Sequence, residues 1–132
     1  MTDRWLLLFL RGVGGFTLFA FAAAVMPANW MVAIADELHV TMPADSPLAF
    51  YLARNLSLLY GYVGAALLVI ATDLQRYRPL VHWAAWGTIS FSLAQFVVDG
   101  QSGLPMWWTL GESGSTLLGG CLLMWIDRHT IA

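Results

Sequence analysis

Two ionisable residues stand inside stretches apolar enough to sit in lipid. Arg54 lies in SPLAFYLARNLSLLYGYVGAALLVIA (residues 46–71), and Glu112 in MWWTLGESGSTLLGGCLLMWI (residues 106–126). A guanidinium or carboxylate at membrane depth is costly and normally has a partner or faces water. Arg54 is seven residues past Pro47, and Glu112 is seven past Pro105. At ~1.5 Å per residue both then lie about 10 Å inside their helices, at matching depth. A third apolar stretch runs the other way and brings Gln95 to a similar level, with Asp99 above it. The pattern points to an Arg54–Glu112 ion pair, supported by Gln95 and capped by Asp99, with Asn55 and Tyr51 adding polar atoms nearby. Arginine suits this task because its planar fork can hold a carboxylate through two hydrogen bonds. Such a cluster has two readings. It pins helices in register, or it forms the polar end of a pocket walled by Tyr51, Tyr60, Phe96 and Trp108, where a headgroup or small anion sits beside Arg54.

Other chemistry is excluded by composition. The chain has no lysine, so a retinal or pyridoxal Schiff base and a Lys nucleophile are ruled out. Cys121 is the only cysteine, which rules out an internal disulfide, a CxxC redox pair and a cysteine-based zinc site. His39, His82 and His129 fall in expected loops or helix ends, which argues against a haem held between two membrane-embedded histidines. No metal centre is expected. RGVGG, from Arg11, lacks the strand and spacing of a phosphate-binding loop.

The elements that must position these residues are read from hydropathy. Of 132 residues 59% are hydrophobic and 11% charged, with a mean hydropathy of +0.68. Soluble domains carry roughly 25% charged residues, so the chain reads as a membrane protein. Four apolar segments, residues 5–26, 48–71, 80–98 and 107–126, each approach the ~20 residues that cross a bilayer as helix. The expected fold is an all-α, integral membrane four-helix bundle forming one transmembrane domain over residues 1–132. Arg4, Arg11, Arg76, Arg78 and Arg128 flank one side, while Asp36, Glu37, Asp45 and Asp99 occupy the other two connections. The positive-inside rule places both termini in the cytoplasm. In the first outer loop Trp30, Ile34 and Leu38 recur every four residues, which suits a short helix lying in the interface or packed on the bundle ends. A net charge of −2 gives no sign of nucleic-acid binding.

Small residues recur at four-residue spacing in Ser57, Gly61 and Ala65 and in Gly111, Ser115 and Gly119. Stripes of this kind let helix backbones approach closely in lipid. Contact between the second and fourth spans, or a homodimer through one stripe, is the expectation.

The layout, a first span LLLFLRGVGGFTLFAFAAAVMP, an outer loop, a second span opening ARNLSLLYGYVGAALLV and two more spans, resembles small bacterial four-helix membrane proteins of the DoxX-like kind and neighbouring families. That resemblance implies a bacterial inner-membrane location and, for some members, association with oxidoreductase systems or quinone chemistry. It carries over no functional residue. The sequence shows too little catalytic machinery to indicate an enzyme. The expected function is a non-enzymatic accessory or scaffold subunit of a membrane assembly, whose partners are the bilayer and a homo-oligomer or larger complex. The alternatives are a binder or enzyme component for a lipid-soluble ligand, a quinone or lipid, with its polar pocket in the outer leaflet, and a small oligomeric transporter.

Overall fold

The structure, a computed structural model, describes residues 2–43 and 45–130. Among these residues it is all-α, with helices α1 (Asp3–Leu18), α2 (Ala20–Ala24), α3 (Ala28–Glu37), α4 (Pro47–Ile70), α5 (Leu74–Gln101) and α6 (Met106–His129). The stretches Asp3–Ala24 and Pro47–Ile70 are long and apolar enough to cross a membrane by length and composition. α5 and α6 are as long, but Gln95, Asp99, Glu112 and their serines and threonines dilute their apolar character. The chain falls into two compact units. One is residues 11–69; the other joins the chain before Arg11 to the chain from Ile70 onward.

In the unit of residues 11–69, the apolar run after Arg11 is interrupted at Phe19. The Thr17 hydroxyl donates to the Val13 carbonyl at 2.7 Å, and the Phe19 and Ala22 amides reach three residues back, to Phe16 and Phe19. Bonds of this i→i+3 kind tighten a helix locally, so one hydrophobic run becomes α1 and α2. α3 ends where the His39 amide donates to the Asp36 carbonyl and the Val40 amide to the Ala35 carbonyl at 2.9 Å. His39, at φ 55°, takes the left-handed position that glycine usually fills in this two-bond cap. The stripe of Trp30, Ile34 and Leu38 is exposed, and Met31 is the residue α3 buries.

α4 starts where local chemistry dictates. Ser46 Oγ accepts from the Ala49 amide at 3.3 Å, and Pro47 occupies the first helical position, where a missing N–H costs nothing. α4 then meets the first run through glycines. A Cβ on Gly64 would stand 2.7 Å from both the Gly14 carbonyl oxygen and the Leu18 amide nitrogen. One turn nearer the start of α4, Gly61 lies beneath the Phe21 ring, which in turn meets Tyr62 edge-on with ring centres 5.3 Å apart.

In the other unit, α5 begins six residues earlier than the expected 80–98. Asp73 caps it, its Oδ1 accepting from the Arg76 amide at 3.2 Å. Pro79 therefore sits inside the helix and withholds one backbone bond near the start, and His82 lies within the helix rather than at its entry. Ser102 and Gly103, the latter at φ 73°, close α5, and Pro105 opens α6. The hairpin packs along a continuous seam. α5 buries Leu74, Val81, Ala85, Ser92, Gln95 and Asp99; α6 buries Thr109, Ser113, Gly120, Leu123, Met124 and Ile126. Steps of three, four and seven residues keep each set on one helix face. At the centre Gly120 presses on α5, where a Cβ would come within 2.9 Å of Ile89 Cγ1.

Arg78 fastens the end of the seam farthest from the turn. Its Nε donates to Asp127 Oδ1 at 2.7 Å, and Nη2 donates to the carbonyls of Asp127 and Thr130 at 2.8 and 3.1 Å. Nη1 stands 3.6 Å from Asp3 Oδ1, and His82 Nδ1 lies 3.5 Å from Asp127 Oδ2. A cation at a helix C-terminus satisfies carbonyls that have no partner within the helix.

Candidate functional site

The seam divides by chemistry. Toward the α5 start and the α6 end it is Leu74, Val81, Ala85, Leu123, Met124 and Ile126; toward the connecting turn it is Ser92, Gln95, Asp99, Thr109 and Ser113, with Glu112 at its edge. In the polar half Gln95 Nε2 donates to Glu112 Oε1 at 2.8 Å, and Trp108 Nε1 donates to Glu112 Oε2 at 2.7 Å. Ser113 Oγ donates to Asp99 Oδ2 at 2.9 Å, and the Asp99 and Glu112 carboxyls are close enough to act on each other. Gln95 Oε1 is buried and accepts no hydrogen bond from the described residues.

The structure thus brings Gln95, Asp99 and Glu112 together, and it adds Trp108 and Ser113 as donors. Trp108 is one helical turn before Glu112, a spacing that places two side chains on one helix face. That spacing was the available signal for Trp108 as Glu112's partner.

Arg54 belongs to the other unit. There its Nη2 donates to the Met26 carbonyl at 3.2 Å, at the turn between α2 and α3, with its guanidinium carbon 6.0 Å from the Phe50 ring centre. Asn55 Nδ2 donates to the Tyr51 carbonyl at 2.9 Å, and Ser57 Oγ to the Ala53 carbonyl at 2.8 Å, so both are engaged by their own helix. The Tyr51 side chain is exposed.

Of the small residues, Gly61 is buried beneath Phe21, whereas a Cβ on Gly111 or Gly119 would meet nothing within 4 Å among the described residues. Ser115 is exposed and donates to the Glu112 carbonyl at 3.1 Å. The close approaches are made instead by Gly64 and Gly120, which stand outside the two stripes read from spacing.

A shallow groove of about 510 Å³ in the unit of residues 11–69 is lined by Phe16, Thr17, Phe19, Ala20 and Tyr60. Among the described residues no three His, Cys, Asp or Glu side chains are grouped to hold a metal ion. Compared with known proteins, the chain matches no family model, no curated protein and no solved structure.

Proposed function

We propose that the chain is an integral protein of a bacterial inner membrane, crossing it four times with both termini in the cytoplasm, and that it serves as a non-enzymatic accessory or scaffold subunit of a membrane assembly. The observation that carries this reading is the distribution of polarity. Gln95, Asp99, Ser92, Thr109 and Ser113 are buried, while Phe16, Phe19, Val25, Trp83, Tyr62 and Leu118 are each more than 65% exposed. Water-soluble proteins do the reverse; a bilayer reverses it because lipid tails solvate apolar side chains and penalise unpaired polar ones. Exposed polar side chains support the same reading. Asn55, Ser90, Ser102 and Ser115 each donate to a carbonyl of their own helix, which is how such groups persist without water. The exposed Trp30, Ile34 and Leu38 face of α3 fits an interfacial helix.

The scaffold part rests on the chemistry of the seam. The polar half joins two helices by side-chain bonds, and the apolar half interrupts any polar path along it, which disfavours a transport route through this hairpin. The groove by Tyr60 favours a second reading, a binder of a lipid-soluble ligand such as a quinone or lipid. Native gel electrophoresis after mild detergent extraction separates the two. The scaffold reading expects co-migration with at least one other subunit; a chain that runs alone and carries a stoichiometric quinone or lipid overturns it.

A further inference from the structure

The polar half of the seam has an imbalance that its own residues do not resolve. Of its side-chain donors, Gln95 Nε2, Trp108 Nε1 and Ser113 Oγ are engaged by the two carboxyls and Ser92 Oγ by the Ile89 carbonyl. One buried acceptor is left over. Gln95 is 8% exposed, and its Oε1 is buried with no donor. An oxygen left unpaired in this way has given up water without a replacement donor. Reversing the amide offers no remedy, because it turns Oε1 onto a Glu112 oxygen, acceptor against acceptor. The two carboxyls also lie close to each other, away from the unit's arginines. Within this unit Arg76, Arg78 and Arg128 lie at the far ends of α5 and α6, and Arg4 follows Asp3, which Arg78 approaches at that same end. Arg78 is seventeen residues before Gln95, about 25 Å along the helix.

An occupant that corrects both must donate hydrogen bonds and carry positive charge. A quinone, which only accepts, does neither. Calcium or magnesium would need water for much of its oxygen shell here, and among the described residues no three His, Cys, Asp or Glu side chains are grouped to hold a metal ion. A quaternary ammonium has the charge but no N–H. A primary ammonium has the charge and three N–H donors, one for each acceptor group. We infer that the polar half of the α5–α6 seam binds a primary ammonium group, held by Gln95 Oε1 and the Asp99 and Glu112 carboxyls.

Two sources carry this chemistry: a free alkylammonium ion and the ethanolamine headgroup of a phospholipid. Gln95 and Glu112 each lie six residues inside their helix ends, about 9 Å, a depth a headgroup can approach. The lipid source rests on the membrane reading above; the site itself does not.

The test uses the full chain in neutral detergent micelles, with thermal unfolding followed in methylammonium, tetramethylammonium and sodium chloride at equal ionic strength. At ten times half-saturation, methylammonium is expected to raise the midpoint by about 3–6 °C, while the other two salts leave it unchanged. Asp99→Asn keeps an oxygen for Ser113 but removes a charge, and half-saturation is expected to rise about tenfold or more. Equal responses to all three salts, or an unaltered response in Asp99→Asn, overturn the site. If that variant does not fold, the salt comparison in the unsubstituted chain still decides. Native mass spectrometry from bilayer discs of mixed phosphatidylethanolamine and phosphatidylcholine then identifies the source. Selective retention of the ethanolamine lipid, displaced by methylammonium, assigns the lipid, and a methylammonium response without retention assigns the free amine. Absence of both overturns the proposal while leaving membrane insertion untouched.

Discussion

Removing the Arg78 side chain is expected to be among the most damaging single changes in the chain. Arg78 holds the Asp127 carboxylate, two C-terminal carbonyls of α6 and, at longer range, Asp3. The Asp127 side chain is only 10% exposed, so Arg78→Ala leaves a largely buried carboxylate with the His82 imidazole at 3.5 Å. Hydrogen bonds to charged groups contribute about 1.5–3 kcal/mol, and Arg78 itself retains some solvent contact, so a loss of about 2–3 kcal/mol is expected. Arg78→Lys should recover less than half of it, because a point-like ammonium cannot serve a carboxylate and two carbonyls from one planar fork. Reversible unfolding in mixed micelles, monitored by circular dichroism, measures both. A cost below that of an ordinary surface ion pair shows that Arg78 does not fasten this end of the hairpin.

The second large effect is steric. Gly64→Ala places a methyl group 2.7 Å from backbone atoms of Gly14 and Leu18. Backbone cannot step aside as a side chain can, so the helices must separate, at a cost of about 1–3 kcal/mol. Gly111→Ala and Gly119→Ala meet open space, and they should be neutral or stabilising by up to ~1 kcal/mol from helix propensity. The same unfolding assay compares them. A loss at Gly119 equal to that at Gly64 means that another helix covers that face of α6, and it contradicts the contrast drawn from the glycine surroundings.

Much of the architecture was legible because the periods are strong. The apolar runs became helices, and the Trp30–Leu38 pattern became α3. Helix starts were less legible where two signals competed. The apolar stretch began at residue 80, but Asp73, three residues before the amide it caps, set the start of α5 earlier. Phe19 gave no warning, since the interruption shows only in the backbone, where the Phe19 and Ala22 amides bond three residues back.

The candidate site was legible in part for a related reason. Counting residues from helix ends put Gln95 and Glu112 at one level, and a depth count works along a helix axis. It does not report rotation about the axis, so it could not tell that Ser113 and Trp108 turn toward the carboxyls while Ser115 turns away. For the same reason, spacing alone marked Gly61, Gly111 and Gly119 as packing positions but passed over Gly64 and Gly120. Arg54's bond to the Met26 carbonyl was out of reach of sequence, because that carbonyl becomes available only where the chain turns between α2 and α3.

The central claim is that a bilayer solvates the exposed apolar faces while the polar half of the seam lies inside. The most direct measurement is flotation of carbonate-washed membranes from cells producing the full chain, on a density gradient. The chain is expected to rise with the lipid, as integral proteins do and aggregates or peripheral proteins do not. Recovery in the carbonate supernatant, or at the bottom of the gradient away from lipid, contradicts the claim.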